Sequence, residues 1–485
     1  MVRKAVIVGS GPVGCLTALA LSKAGWSVAV YDARADIRLP ENKSQSLQRS
    51  INLAISSRGI AALHAVDPLI SKRFMKTVIP MRGRMIHTTN GAAESQLYDL
   101  NGQCINSIDR ALLNEDMLNE LTAASIEVHF DHKLVAADFN KKVLTFNKKT
   151  DGTTIGVPFD FCVGADGSYS TVRSQLMRVT RMDYQQEYIP HEYIELRVPA
   201  RVDENGNEQF QLDPGHLHIW PRHSFMLIAL PNQDKSFTST LFAPTSEFSK
   251  LKSPDEFVSW FRLQFPDATE IIGEARLKQD FLHNPRSPLI HIKAHPYHYK
   301  DRVIILGDAA HAMVPFYGQG LNCGLEDVRV LDVLLRKNEV DPVHSISGGE
   351  IDGRLANALQ EYTETRHDDL IAICDLAMAN YEEMRHSVTT PLYRLRKMVD
   401  GLLSYGTRFI PFQTLISQLT STTFSRAPSG WLALYTMVTF RPDISYAEVR
   451  RKAERQNRLL DVAVWSGLLA TAYVSTVATL KWLKT

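Results

Sequence analysis

Cysteine is scarce in this chain. Five residues, Cys15, Cys104, Cys162, Cys323 and Cys374, are spread over 485 positions without one CxxC pair. An odd count without framework spacing excludes a disulfide scaffold, argues against a zinc module and fits a reducing compartment. Charge of one sign is lacking too: 54 Lys+Arg face 53 Asp+Glu, a formal net charge of +1. No domain-wide basic field is available to grip nucleic acid, so none is expected as a partner. Met1-Val-Arg-Lys runs straight into Ala5-Val-Ile-Val8, which reads as a strand, so no secretory signal is expected. Internal repeats and low-complexity tracts are missing. The run His291-Ile-Lys-Ala-His295-Pro-Tyr-His298 is broken by Pro296, which keeps any one helix from aligning its imidazoles, so no metal is expected there. Small molecules are the expected ligands. The 44% of hydrophobic residues can fill a large core, and the length suits about three domains.

What is present starts with a βαβ unit. Ala5-Val-Ile-Val8 reads as a buried strand, Cys15 to Ala24 as an amphipathic helix, and Ser27-Val-Ala-Val-Tyr31 as a second strand ending at Asp32. Between the first two lies Gly9-Ser-Gly11-Pro-Val-Gly14, with Asp32 standing 18 residues after its last glycine. Gly9 permits the tight turn, Gly11 lets the backbone approach a pyrophosphate, and Gly14 lets helix and strand pack closely. The helix N-terminus offers N–H groups to phosphate, and Asp32 is placed for a ribose 2′-OH. The groove suits NAD or FAD. Further on, Asn90-Gly91 signals a hairpin between Arg84-Met-Ile-His87 and Ser95-Gln-Leu-Tyr98. A two-residue loop sets Arg84 opposite Leu97; one extra loop residue sets it opposite Tyr98. Residues 183–285 read as alternating aromatic-rich strands, an inserted sheet domain. Arg302-Val-Ile-Ile-Leu306 returns to a buried parallel strand, 342–353 reads as a linker, and 354–457 is helical in character with prolines at 391, 411, 428 and 442.

Two later motifs decide the nucleotide. Gly164-Ala-Asp166-Gly167-Ser-Tyr-Ser170-Thr-Val-Arg173 resembles the DG motif of flavoprotein hydroxylases, and Arg302-Val-Ile-Ile-Leu-Gly307-Asp308-Ala-Ala-His311 resembles their GD motif. With the glycine turn, these stand in that family's order and spacing, which points to FAD. Arg49-Ser-Ile-Asn-Leu-Ala-Ile-Ser-Ser-Arg58-Gly59, Pro80-Met-Arg-Gly-Arg84-Met-Ile-His87, Pro315-Phe-Tyr-Gly-Gln-Gly-Leu-Asn322, His218-Ile-Trp-Pro-Arg222, Asn380-Tyr-Glu-Glu-Met-Arg385 and Leu434-Tyr-Thr-Met-Val-Thr-Phe440 resemble the kynurenine 3-monooxygenase family of flavin-dependent aromatic hydroxylases. Asp32 departs from that family's usual Glu, and Gln48 from its usual Gly; neither touches the reaction centre.

The resemblance implies an α/β, glutathione-reductase-type FAD-binding fold with an inserted β-sheet substrate domain, a helical C-terminal domain and a C-terminal transmembrane helix. The domains would be 1–182 (FAD-binding, carrying the substrate-side hairpin 80–100), 183–285 (mainly β), 286–340 (FAD-binding return), 354–457 (helical) and 462–480 (anchor). It implies bound FAD with NADPH as a transient co-substrate, and hydroxylation of L-kynurenine to 3-hydroxykynurenine by O2 through a flavin hydroperoxide. FAD would meet Gly9, Gly11, Val13, Gly14, Asp32, Arg34, Ala54, Arg110, Leu134, Asp166, Asp308, Leu321 and Asn322. The substrate's amino-acid end would meet Arg84, Tyr98, Asn380 and Tyr435. An Arg guanidinium holds a carboxylate bidentately, and a Tyr hydroxyl adds a donor. No nucleophile or general base is implied, because the flavin carries the chemistry. Pro315, Phe316, Tyr317 and Gln319 would form a loop over it, with Met226, Leu230 and Phe242 lining the ring pocket. Another hydroxylase of this scaffold, acting on a different anthranilate-like or phenolic ring, remains open at this point, as does a membrane-tethered flavoprotein binding module.

The tail is a separate matter. Residues 462–480 carry no charge over 19 positions, about 28 Å as a helix, enough to cross a bilayer. Arg450, Arg451, Lys452, Arg455 and Arg458 precede it, and Trp465 and Trp482 lie near its ends. A buried terminal helix is the competing reading. By resemblance the membrane is the mitochondrial outer membrane, with the catalytic body facing the cytosol.

Overall fold

In the computed structural model, which describes residues 2–42, 53–99, 101–343, 350–385, 390–404, 412–419, 424, 430–462 and 466, the apolar run after Met1 becomes strand Lys4–Val8 at the centre of a six-stranded sheet. Ser27–Tyr31 and Glu127–His129 extend that sheet on one side. Phe161–Gly164, Val303–Ile305 and His298–Tyr299 extend it on the other. All neighbours pair in parallel except the last, His298–Tyr299. Strands buried on both faces have no need to alternate, which is why Val-, Ile- and Ala-rich runs fill these positions. Helices Pro12–Lys23 and Gly320–Lys337 pack against one another and belong to the same core.

A second, seven-stranded sheet runs in the order Ser287–His295, Asp183–Val198, Phe237–Pro244, Phe225–Pro231, His216–Arg222, Gly83–His87, Ala93–Leu97. Two expectations need correction here. The stretch 183–285 is not strand throughout: Thr245–Phe248, Pro254–Gln264, Pro266–Ile272 and Glu274–His283 are helices. The apolar period changes there from two to four, as Phe257, Phe261 and Phe265 show, all three buried against Trp220 and Leu241. The return segment in turn starts inside this sheet, since Ser287–His295 pairs with Asp183–Val198.

The hairpin at Asn90-Gly91 forms, but neither expected register is adopted. Arg84 lies opposite Gln96, and Gly83 opposite Leu97. The turn closes one residue wider, with Thr88 N–H donating to Ala92 O at 2.9 Å. Parallel pairing of Gly83–Ile86 with His216–Ile219 adds a second constraint on this register. Tyr98 N–H donates to Arg82 O, so Tyr98 sits diagonal to Arg84 on the same face of the sheet.

Beyond the sheets, helix Gly353–Arg385 runs for 33 residues against both, followed by Pro391–Ser404, Phe412–Leu419, Leu434–Phe440 and a helix over 446–462. No helix among the described residues is long and apolar enough to cross a membrane. The uncharged stretch 462–480 lies, apart from residues 462 and 466, outside the described residues.

Candidate functional site

The glycine turn divides its labour as backbone geometry demands. Gly9 has φ +101°, and a Cβ there would meet Ala165 O at 2.4 Å; one at Gly14 would meet Gly9 O at 2.0 Å. A Cβ at Gly11 would meet nothing within 4 Å. Two glycines therefore close the turn, while the third opens onto the groove at the N-terminus of Pro12–Lys23, the position a pyrophosphate requires. Val13 packs beneath Gly307 of the GD motif, 3.1 Å from where a Cβ would stand. Asp32 ends its strand buried. Its carboxylate accepts from Ser10 N–H and Oγ, both at 2.7 Å, and from Arg34 N, Nε and Nη2 at 2.8–3.0 Å. Burial alone raises its pKa, but these donors hold it at about 2. Asp32 O accepts from His132 N–H, so the strand carrying Leu134 starts beside this end of the groove, with Leu134 itself in the core. Arg110 opens helix Arg110–Ala123 on the surface.

The DG and GD motifs meet through Arg173, which donates to Ala309 O (2.8 Å) and Ser168 O (2.7 Å). Asp166 is turned inward: its carboxylate takes Ser170 Oγ–H and the N–H groups of Thr171 and Val172, capping helix Thr171–Leu176. Burial pushes its carboxyl upward in spite of those donors. Asp308 differs from its neighbours, exposed while Gly307 and Ala309 are buried.

The loop after the GD motif is a single 3₁₀ turn, Pro315–Tyr317, closed by Gly318 at φ +64°. Asn322 clamps it. Its Nδ2 donates to Gly318 O (2.6 Å) and Ala54 O (2.8 Å), and its Oδ1 accepts from Ser56 N–H (2.8 Å). Leu321 is half-buried against the core. Gln319 is buried and accepts from Tyr446 O–H at 3.0 Å. Phe316 stacks on Tyr381, ring centroids 3.9 Å apart, and meets Phe242 edge-on at 4.8 Å.

On the sheet side of that loop, Arg84 is buried among aromatics. Its guanidinium lies 4.9 Å from the Tyr435 ring and 5.8 Å from the Tyr98 ring. The rings of Tyr98 and Tyr435 stack at 4.8 Å, and Tyr317 continues the stack at 5.8 Å. Arg84 Nε is buried with no hydrogen-bond partner among the described residues, and the buried Tyr98 hydroxyl lies against Arg84 and Tyr435. A buried guanidinium N–H left free beside a tyrosine hydroxyl fits an anionic oxygen ligand. Burial alone disfavours the Arg84 charge, but the surrounding tyrosines and Glu383 raise its pKa overall. Leu230 packs with Met81, Tyr98 and Phe440, and Met226 and Phe242 are fully buried nearby in the sheet.

Residues 3–338 match the family model for the FAD binding domain. Along almost the whole chain, the kynurenine 3-monooxygenase of Cryptococcus neoformans var. neoformans serotype D (strain B-3501A) is 45% identical, covering 99% of this chain and 98% of that protein. That of Saccharomyces cerevisiae (strain ATCC 204508 / S288c) is 43% identical over 95% of this chain and 94% of its own. This chain belongs to the kynurenine 3-monooxygenase family. Among solved structures, the tetrameric form of 2-methyl-3-hydroxypyridine-5-carboxylic acid oxygenase aligns with TM-score 0.61 at 19% identity, covering 80% of this chain and 94% of that one. A probable FAD-dependent monooxygenase from Pseudomonas aeruginosa gives 0.60 at 18%, covering 79% and 97%. The shared α/β FAD-binding monooxygenase fold is what that likeness carries.

Three residues of this family member escaped the sequence reading. Glu383 approaches Arg84 (Nη1–Oε1 3.8 Å) and accepts from Tyr393 O–H at 3.0 Å. Lys397 reaches Gln96 Oε1 at 3.5 Å, and burial, helped by the Arg84 charge, lowers its pKa to about 8. Glu383 stands one helical turn from Asn380, a spacing that would have exposed it. Tyr393 and Lys397 carry no such signal, because their helix is brought over the sheet only by the tertiary fold. A fourth, Arg58, is fully buried and donates to Val438 O, Met437 O and Ile444 O while pairing with Glu326 at 2.9 Å. It fixes the C-terminal end of Leu434–Phe440, the helix that carries Tyr435.

One trio of donors among the described residues, His311, Cys323 and Asp327, lies close enough to hold a metal. Its carboxylate is already taken by His311, Gly307 N–H and Arg366, and the Arg366 guanidinium also contacts Cys323 Sγ at 3.5 Å. A cation there would face a buried guanidinium.

Proposed function

We propose that this protein hydroxylates L-kynurenine to 3-hydroxykynurenine, with FAD bound and NADPH and O2 as co-substrates. The observation that carries the reading is the buried Arg84 guanidinium, set beside the stacked rings of Tyr98 and Tyr435 with an unpaired Nε, where Tyr317 of the Pro315–Tyr317 turn continues the stack. A free amino acid with an aromatic ring needs that combination. Arg84 takes the α-carboxylate as a charge-assisted, forked partner, and Tyr98 adds a hydroxyl donor. Asn380 and Tyr435 complete the polar end. Phe242, Met226 and Leu230 receive the ring, and Phe316 and Tyr317 shut water out above it.

The residues around the glycine turn fit a flavin dinucleotide. Gly11 leaves the groove open to the pyrophosphate, Gly9, Val13 and Gly14 shape it, Asp32 with Arg34 stands at the ribose end, and Asp308 faces outward for the ribityl chain. Ala54, Leu321 and Asn322 line the flavin side, with Arg110, Leu134 and Asp166 assigned by family resemblance. When bound, FAD supplies hydride acceptance and oxygen activation. The chain's own part is to hold the substrate by its carboxylate, orient its ring and keep the site dry.

The domain partition at 182/183 and 340/354 belongs to the same proposal. So does the anchor at 462–480 in the mitochondrial outer membrane, with the body on the cytosolic side. Its support is the uncharged 19-residue stretch and the basic residues before it. The test mixes FAD-loaded protein with NADPH in air, with and without L-kynurenine, and quantifies 3-hydroxykynurenine by chromatography. Kynurenine-dependent product supports the reading; NADPH consumption stimulated only by other aromatics overturns the substrate.

A further inference from the structure

Helix Pro391–Ser404 has two unlike faces. Tyr393, Lys397 and Asp400 point into the protein, where they bond Glu383, Gln96 and Trp431 Nε1 at 3.0, 3.5 and 2.8 Å. That face lies over Arg84, through Glu383, and over Gln96 opposite it in the hairpin. On the other side Leu395, Met398 and Leu402, at i, i+3 and i+7, are 56%, 63% and 71% exposed, with Leu403 beside them. An apolar stripe of that spacing left open to water calls for an occupant.

The position of the stripe says which. Arg396, exposed on the flank of the helix, bonds Asn457 of the helix over 446–462. Two residues beyond Asn457, Leu459 and then Val462 are exposed, 64% each, and the chain continues directly into the 19 uncharged residues 462–480. The helix that bears the stripe therefore lies against the helix from which the tail leaves the body. On the helix over 446–462, Arg451, Arg455 and Arg458 are exposed, the first two paired with Glu448, with Glu454 and Asp461 exposed among them. At 14 residues Pro391–Ser404 extends about 21 Å, too short to span a hydrocarbon core. It suits lying in an interface.

We propose that Pro391–Ser404 docks on an anionic phospholipid bilayer, with Leu395, Met398 and Leu402 sunk roughly 5–10 Å below the headgroups. This rests on the anchor reading above and extends it: the membrane then touches the outer side of the helix whose inner side lies over Arg84.

The test uses the full, FAD-loaded chain with Cys104→Ser, since the other four cysteines are buried. A single cysteine replaces Met398, Leu402 or, as control, the exposed Leu263 on the helices covering the sheet's opposite face, and carries an environment-sensitive fluorophore. Each protein is bound to vesicles of phosphatidylcholine and phosphatidylglycerol, with or without brominated acyl chains, and floated on a gradient. Quenching by brominated lipid at 398 and 402 but not at 263 is the expected result. Flotation with 398 and 402 quenched no more than 263 overturns the docking and leaves the anchor. A blue-shifted yet unquenched signal does the same, because it means the tail or a second copy covers the face. Failure to float removes both.

Discussion

Asn380 Nδ2 donates to the backbone oxygen of Phe316 at 2.7 Å, across 64 residues of sequence. A residue expected at the substrate's amino-acid end therefore also pins the turn above the ring space. Asn380→Ala leaves that buried oxygen without its donor, a penalty of about 1–3 kcal/mol. It should lower kcat as well as raise KM for kynurenine, whereas Tyr435→Phe should act chiefly on KM. Steady-state product formation separates the two; an Asn380→Ala enzyme with unchanged kcat would refute the pinning.

Arg84→Ala removes a charge-assisted contact of roughly 1.5–3 kcal/mol, about 10- to 150-fold in kynurenine affinity. Arg84→Lys should recover only part, because an ammonium lacks the planar fork and the stacking on Tyr435. Equilibrium titration of flavin absorbance reads this directly.

Lys397 supplies a pH signature. Its pKa is about 8 in the fold against 10.5 ordinarily, so between those values the unfolded chain binds more protons and stability rises with pH. Below about pH 8 both states are protonated, and the buried cation costs the fold its full penalty. Lys397→Met should raise Tm at pH 7 and flatten the gain the parent shows from pH 8 to pH 10. Parallel melting curves for the two proteins would discredit the shifted lysine.

Gly11 and Gly14 should separate folding from cofactor retention. Gly11→Ala adds a methyl into open groove at φ −69°; the chain should fold and melt normally but lose FAD on gel filtration. Gly14→Ala drives a methyl to 2.0 Å from Gly9 O and should destabilise the chain itself. Equal FAD loss with equal stability in both would contradict the division.

For the tail, a chain ending at Arg458 should appear in the carbonate wash of membranes from expressing cells and keep much of its turnover, while the full chain stays in the pellet. Full-length protein in the wash rules out a spanning anchor.

The βαβ unit was legible because its determinants are neighbours: Gly9, Gly11, Gly14 and Asp32 lie within 24 residues, and their roles follow from local backbone geometry and strand–helix alternation. The flavin class was legible from three motifs taken together. The hairpin turn was visible at Asn90-Gly91, yet its register was not, since Gly83–Ile86 must also pair with a strand more than 130 residues away. Arg84 could be nominated from its motif. Its partners could not be weighed, because Tyr435 and Lys397 reach it from beyond three hundred residues of chain, and a pKa near 8 exists only once burial and the Arg84 charge act together. Arg58 shows the same limit most plainly. In the sequence it is one arginine among many; only folding brings the carbonyls at 437, 438 and 444 around it. Local geometry is written in short spacings, whereas burial and the company a charge keeps are properties of the packed molecule.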